Sequence, residues 1–208
     1  MSRNFDLLLK RYEPEIAQIR LAAHSLHQSV NQTYGGIHPY GYHLDMVVQN
    51  IRDYGHLVLA DERDLLPLVF GGYFHDSIED ARQTYNDTIS TACRFMDRQQ
   101  ALTAAEIVYA LTNDKGRTRA ERAGERYYAG IRQTPYAPFV KLCDRMANTA
   151  YSLSDGNKLN ARMCHIYRQE MPGFLAAINA HSDDRRLAVP AEMVERIDRM
   201  LAADTTTH

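Results

Sequence analysis

Residues 65–80 read Leu65-Leu-Pro-Leu-Val-Phe-Gly-Gly-Tyr-Phe-His-Asp-Ser-Ile-Glu-Asp80. The first ten, Leu65–Phe74, form the longest apolar run in the chain. A membrane-spanning helix needs about 20 such residues, and this run carries Pro67, Gly71 and Gly72. It therefore reads as a core helix, predicted over 64–80, whose end bears His75, Asp76, Glu79 and Asp80. On an unbroken helix 75 and 79 share a face, as do 76 and 80. A helix end turning into water would explain the polarity, but not a histidine beside three carboxylates. In a chain of this composition, His-Asp-x-x-Glu-Asp is expected by chance only about 0.003 times, which makes it a motif to weigh.

Outward from this stretch the apolar periodicity stays helical. Ile16, Ile19, Ala23 and Leu26 recur every three to four residues, as do Leu44, Val47, Val48 and Ile51. Ala101, Ala104, Ala105, Val108 and Leu111 repeat the pattern, and Cys143, Met146, Ala147 and Ala150 follow it again. Pro190 precedes a last stripe of Met193, Val194, Ile197, Met200 and Leu201. Helices are predicted at 3–12, 15–29, 42–57, 64–80, 86–96, 99–112, 118–133, 136–153, 158–180 and 190–203, with no alternating strand and no Asn-Gly hairpin turn. Two loops interrupt them. Asn31–Tyr42 holds three glycines, a proline and three tyrosines, and Asn113–Arg119 holds three basic residues and Gly116. All-helical proteins place specificity on such connections.

The whole is 208 residues, 45% hydrophobic and 24% charged, which is the usage of one globular domain. A net charge of −2 leaves no field to draw nucleic acid or an anionic membrane. The start of the chain lacks a basic-then-apolar signal layout. Cys93, Cys143 and Cys164 are odd in number and form no Cys-x-x-Cys pair, so reduced thiols and a cytoplasmic setting are expected.

Two further segments carry candidate chemistry. In Val140-Lys-Leu-Cys-Asp-Arg-Met-Ala-Asn148, a polar stripe of Lys141, Asp144 and Asn148 runs beside the buried one. An aspartate so placed is expensive unless paired or metal-bound, and Lys141 and Arg145 are the alternative partners. His43, in Tyr40-Gly-Tyr-His-Leu-Asp-Met-Val47, leans inward at a helix start, either as a satisfied core histidine or as a ligand. His43, His75, Asp76 and Asp144 together are two imidazoles and two carboxylates on three helices. That set suits Mn²⁺, Fe²⁺ or Zn²⁺, with no soft sulfur among the ligands.

The order His, His-Asp, Asp resembles the HD phosphohydrolase superfamily. His75-Asp-Ser-Ile-Glu-Asp80 is similar to the HD-x-x-ED motif of its alarmone ((p)ppGpp) hydrolases. Tyr40-x-x-His43-x-x-x-Val47 and Val140–Asn148 resemble two more motifs of that branch, and Leu111-Thr-Asn-Asp-Lys115 with Arg119-x-x-Arg122 resembles a segment of its small members. The likeness covers about residues 25–153, followed by helices within 158–203. It implies an all-α HD-domain helical bundle, a single domain of nine to ten helices. His43, His75, Asp76 and Asp144 would hold Mn²⁺ or another divalent ion such as Fe²⁺, Zn²⁺ or Mg²⁺. Glu79 and Asp80 would orient the nucleophile and move protons.

The substrate implied is a small nucleotide, a (p)ppGpp or (p)ppApp losing its 3′-pyrophosphate in the stringent response, and not DNA or RNA. Lys115, Arg119, Arg122 and Lys141 are candidates for the phosphates; the arginines equally fit a solvated helix face. Tyr34, Tyr40 or Tyr42 stacks on the base or packs in the core, and Asn148 bonds nucleotide or ligand carboxylate. Three departures stand out. Leu44, not proline, follows His43, and the His43–His75 gap is long enough for an inserted turn near His56–Glu62. The family's Arg-Lys pair for the base is replaced by Gln28-Ser-Val-Asn-Gln-Thr-Tyr-Gly-Gly36, so base choice is expected to be loose. The alternatives are an HD nucleotidase or phosphodiesterase, or a non-catalytic nucleotide-binding HD module.

Overall fold

The computed structural model describes residues 2–113, 117–154 and 158–203. Over these the chain is an all-α bundle with ten helices of eight or more residues. They are α1 (Ser2–Arg11), α2 (Glu13–Ser29), α3 (Gly41–Tyr54), α4 (Leu65–Phe74), α6 (Tyr85–Ala92), α7 (Arg98–Leu111), α9 (Glu125–Gln133), α10 (Ala137–Ser154), α11 (Lys158–Ile178) and α12 (Ala191–Ala203). Two four-residue turns of helix, α5 (Ser77–Asp80) and α8 (Arg119–Arg122), complete the set. One continuous apolar core runs from Phe5 to Leu201. Among the described residues no helix is long and apolar enough to cross a membrane.

Helix α4 is apolar on every face, and all ten of its residues are buried. Such a helix must be surrounded, and α2, α3, α7 and α10 enclose it. Its two glycines let neighbours come close. A Cβ on Gly71 would stand 2.6 Å from Ile107 Cγ2 on α7, and one on Gly72 would stand 2.4 Å from Ile51 Cδ1 on α3. On the far side α10 lies along α3, pinned where Asn50 donates through Nδ2 to the Cys143 carbonyl at 2.9 Å. Capping boxes start α6 (Thr84 with Asp87) and α7 (Asp97 with Gln100).

Four elements differ from the sequence reading. The helix expected over 64–80 breaks at His75–Asp76. Asp76 sits at φ −99°, ψ 2°, outside the helical region, and α5 restarts after it. The polar groups of the motif are thus aligned by a bend and not by one helical face. The helix expected over 118–133 is split by extended Gly124 (ψ −176°) into α8 and α9. The helix expected over 86–96 ends at Ala92. The loop 31–42 contains a two-residue antiparallel pair, β1 (Thr33–Tyr34) with β2 (His38–Pro39). Its turn runs through Gly35 and Gly36 at φ +60° and +77°, which glycine adopts without strain. Short 3₁₀ turns at Gly55–Leu57 and Glu62–Asp64 carry the chain between α3 and α4, where the extra turn was expected.

The tight α4–α7 contact gives a stability prediction. Ile107 is fully buried and β-branched, so its methyl has little room to move. Gly71→Ala is expected to destabilise the fold by about 1–3 kcal/mol, as overpacking does, despite the better helix propensity of alanine. Urea unfolding followed by circular dichroism measures it; an unchanged midpoint would show that α4 and α7 separate easily.

Candidate metal centre

Three helices converge on one point. His43 comes from the first turn of α3, His75 and Asp76 from the end of α4, and Asp144 from the middle of α10. His43 Nε2 lies 3.4 Å from His75 Nε2 and 3.3 Å from Asp144 Oδ1. Asp76 Oδ2 lies 2.9 Å from His75 Nε2 and 3.8 Å from His43 Nε2. The ligand atoms of His43, His75 and Asp144 are all within 4.8 Å of one another. A first-row ion with bonds of about 2.1 Å sets its ligand atoms about 3.0–3.5 Å apart, so this spacing fits one ion.

The donor chemistry agrees with that fit. His75 Nδ1 meets the Gly72 carbonyl at 2.9 Å, so this nitrogen carries a proton and Nε2 is the atom turned inward, able to offer its lone pair to a cation once its own proton is displaced. The two Nε2 atoms therefore face each other and two carboxylate oxygens. Both imidazoles are 1–2% exposed, and His43 Nδ1 has no hydrogen-bond partner among the described residues.

The electrostatics point to a cation. Burial opposes the charge on Asp76, but His75 and His43 outweigh it and keep its carboxyl well below the ordinary range. Burial likewise opposes Asp144, and Lys141 with both histidines holds it far below the ordinary range. Burial also opposes protonation of His75, yet Asp76 and Asp144 push the imidazole up to about 9. Without a metal, the carboxylates hold a proton where a divalent ion would bring its charge.

The remaining predicted residues take more varied places. Lys141 Nζ donates to Asp144 Oδ2 at 3.0 Å and lies 5.8 Å from the Tyr127 ring centroid. Burial disfavours its charge, but Tyr127, Asp144 and Asp76 hold the ammonium well above its ordinary pKa. Asn148 donates through Nδ2 to Asp144 Oδ1 at 2.5 Å and accepts from Tyr34 OH at 2.8 Å. Tyr34 stacks on His43, with centroids 4.7 Å apart and planes at 18°. Tyr40 donates its phenol to Asp76 Oδ2. Burial and then Asp76 push that phenol far above its ordinary pKa, so it stays a donor. The Tyr40 ring stacks on buried His27 at 4.6 Å. Of the three loop tyrosines, Tyr42 alone is strongly exposed, stacked on His38 at 4.4 Å.

Glu79 stands apart from the four ligand groups and accepts two hydrogen bonds from Asn113. Asp80 is exposed, and its carboxylate makes no hydrogen bond or ion pair among the described residues. Arg122 is exposed and lines a cleft of about 700 Å³ with Asn113, Tyr127 and Lys141. The opposite wall comes from α11, through Glu170 and Phe174. There Arg145 pairs with Glu170 at 3.0 Å, over the rings of Tyr167 and Phe174. Lys115, and the side chain of Arg119, lie outside the described residues.

Sequence reasoning missed the role of Asn113 and the α11 wall. Asn113 sat in a loop marked for specificity, but nothing local ties it to Glu79. His24 and His27, three residues apart on α2, do not form a site among the described residues: His24 joins an Arg20–Asp45 ion pair, and His27 packs on Tyr40. No protein-family model and no curated protein matches the chain; the functional reading rests on side-chain geometry and motif order.

The Tyr40 contact supplies a prediction. Tyr40→Phe keeps the ring on His27 but removes the donor to Asp76. Such outer contacts are typically worth 10–100-fold in metal affinity, and a loss of about that size in Mn²⁺ affinity is expected by titration calorimetry. Equal affinities would show that Asp76 needs no help from Tyr40.

Proposed function

We propose that this chain is a metal-dependent phosphohydrolase of a pyrophosphorylated nucleotide, of the HD alarmone-hydrolase kind, removing the 3′-pyrophosphate of (p)ppGpp or (p)ppApp. The observation that carries the reading is the convergence of His43, His75 and Asp144 at metal-ligand spacing, with Asp76 Oδ2 2.9 Å from His75 Nε2, beside a cleft lined by Arg122, Lys141 and Arg145. Mn²⁺ or a similar divalent ion bound there would supply Lewis acidity and lower the pKa of its water toward neutrality.

The chain's own residues divide the remaining work. Burial raises the Glu79 carboxyl above the ordinary range, with Asp76 adding to the effect and Asn113 and Lys141 opposing it. A carboxyl tuned upward is suited to accept a proton from the attacking water and return it to the leaving oxygen. Lys141 is fixed by Asp144 and Tyr127, so its charge is already in place when negative charge builds on the phosphoryl group. Arg122, which makes no ion pair among the described residues, offers the cleft an uncommitted guanidinium for a phosphate. Arg145 faces the same cleft but is already paired with Glu170.

Base choice follows from what is free to touch it. Tyr34 and Tyr40 are occupied by His43, Asn148, His27 and Asp76. Tyr42 is the most exposed of the three, with His38 stacked on one face of its ring, and stacking on the other face would separate guanine from adenine poorly because every base has a π-face. The kcat/KM values for ppGpp and ppApp are therefore expected to differ by less than a dedicated hydrogen-bonding reader would impose.

The test is Mn²⁺-dependent hydrolysis of ppGpp, pppGpp, ppApp, NADPH, cyclic nucleotides and deoxynucleotides, with products resolved by chromatography. Pyrophosphate release from a 3′-pyrophosphorylated nucleotide is expected. Glu79→Gln should retain the metal and lose about 10²-fold or more in turnover, whereas Asp76→Ala should lose metal and activity together. Release of inorganic phosphate from a 5′-nucleotide alone would place the chain among HD nucleotidases instead. Metal loss in Glu79→Gln would make Glu79 a ligand.

A further inference from the structure

We propose that Asn113 is the positioning residue of the proton-carrying carboxylate: its backbone N–H and its side-chain amide each grip one oxygen of Glu79 and hold that group beside Asn113, which itself lines the cleft. The proposal rests on the assignment of proton transfer to Glu79. The backbone N–H of Asn113 lies 2.5 Å from Glu79 Oε1, and Nδ2 lies 2.9 Å from Oε2. Both partners of a bidentate clamp thus come from one residue, 34 positions away in the chain.

Glu79 needs such a clamp because its own element cannot fix it. It sits on the four-residue α5 with part of its side chain open to solvent, and would otherwise sample several rotamers. Asn113, by contrast, is presented from an anchored end. The α7 helix closes with the Thr112 N–H on the Tyr109 carbonyl at 3.1 Å, and the Thr112 hydroxyl donates to the Val108 carbonyl at 3.0 Å. From α9 the buried Tyr127 phenol donates to the Leu111 carbonyl at 3.1 Å. Thr112 then turns to extended backbone, which carries Asn113 off the helix toward α5.

The chemistry of the clamp suits a group that must exchange protons. Each carboxylate oxygen has two lone pairs, and Asn113 occupies one on each. The others stay available to a water or a leaving oxygen. Both donors are neutral, so they orient Glu79 without the full acidification that a bidentate arginine would cause. The titratable and charged groups that face Glu79 are Asp76 before α5, Lys141 on α10 and the Tyr127 phenol on α9. Aspartate at 113 would keep the backbone donor and set a like charge against Glu79. Glutamine would carry the amide one methylene too far.

The experiment uses the full chain loaded with Mn²⁺, with Asn113→Ala, Asn113→Ser and Asn113→Asp measured alone and in the Glu79→Gln background. Asn113→Ala should keep its metal and leave KM nearly unchanged. It should lose about tenfold or more in kcat, the size of one lost hydrogen bond to a charged group, and its acid limb should move to higher pH. In the Glu79→Gln background the same change should have almost no further effect. A full additional loss there would overturn the proposal, because Asn113 would then act on something other than Glu79. Should the wild type hydrolyse none of the nucleotides, the functional reading fails, and the clamp is read directly from ¹³C NMR titration of the Glu79 carboxyl. An upward shift in Asn113→Ala and Asn113→Ser, with an unchanged metal-free fold, supports the clamp, and an unmoved midpoint overturns it.

Discussion

The contact of His75 Nδ1 with the Gly72 carbonyl joins the apolar core to the polar site. It spends a carbonyl at the end of α4 that the helix itself leaves open, and in doing so turns Nε2 toward the three other ligand groups. Everything upstream serves to hold that carbonyl still. Helix α4 is buried on all faces, and Gly71 and Gly72 let α7 and α3 close onto it with no side chain between. A ligand carried on so enclosed a helix has almost no freedom to wander. The site is therefore built into the core and not laid on its surface.

Concentrating two imidazoles and two carboxylates in so small a volume is unfavourable unless positive charge arrives. The structure contains a partial answer in Lys141 and in the proton that Asp76 and Asp144 keep on His75. Around these, a ring of neutral donors orients the ligands: Asn148 on Asp144, Tyr40 on Asp76, and Tyr34 over His43 and onto Asn148. The β1–β2 hairpin supplies Tyr34 and leads directly to Tyr40, so the loop 31–42 contributes to the support of the centre. Close packing of Tyr151 against Gly35 fixes that loop against α10.

The cleft beside the centre divides its charges between structure and ligand. Arg145 is committed to Glu170 and to two aromatic rings, which ties α10 to α11. Lys141 is shared between Asp144 and the cleft wall. Arg122 is the cleft cation free of an ion pair among the described residues. This separation leaves one cleft cation, Arg122, outside the ion pairs that hold the fold.

The sequence alone determined the all-α class, because a 3.6-residue apolar period is a local property that any window of the chain displays. It also singled out His43, His75 and Asp144, which the fold brings within 4.8 Å of one another: His75 lies beside the fourth candidate, Asp76, and the others lie on helices whose apolar stripes dictate which way they face. Tertiary structure decided the rest. The break after His75 is invisible to periodicity, since a helix and a bend share the same residues there. The partners Asn113–Glu79 and Tyr34–Asn148 are 34 and 114 positions apart, and no local pattern encodes such a meeting. Tyr40 was a candidate for substrate, and Lys141 a candidate for a phosphate or for Asp144. They prove to hold Asp76 and Asp144, because a buried carboxylate must find its donors from whichever elements packing brings alongside.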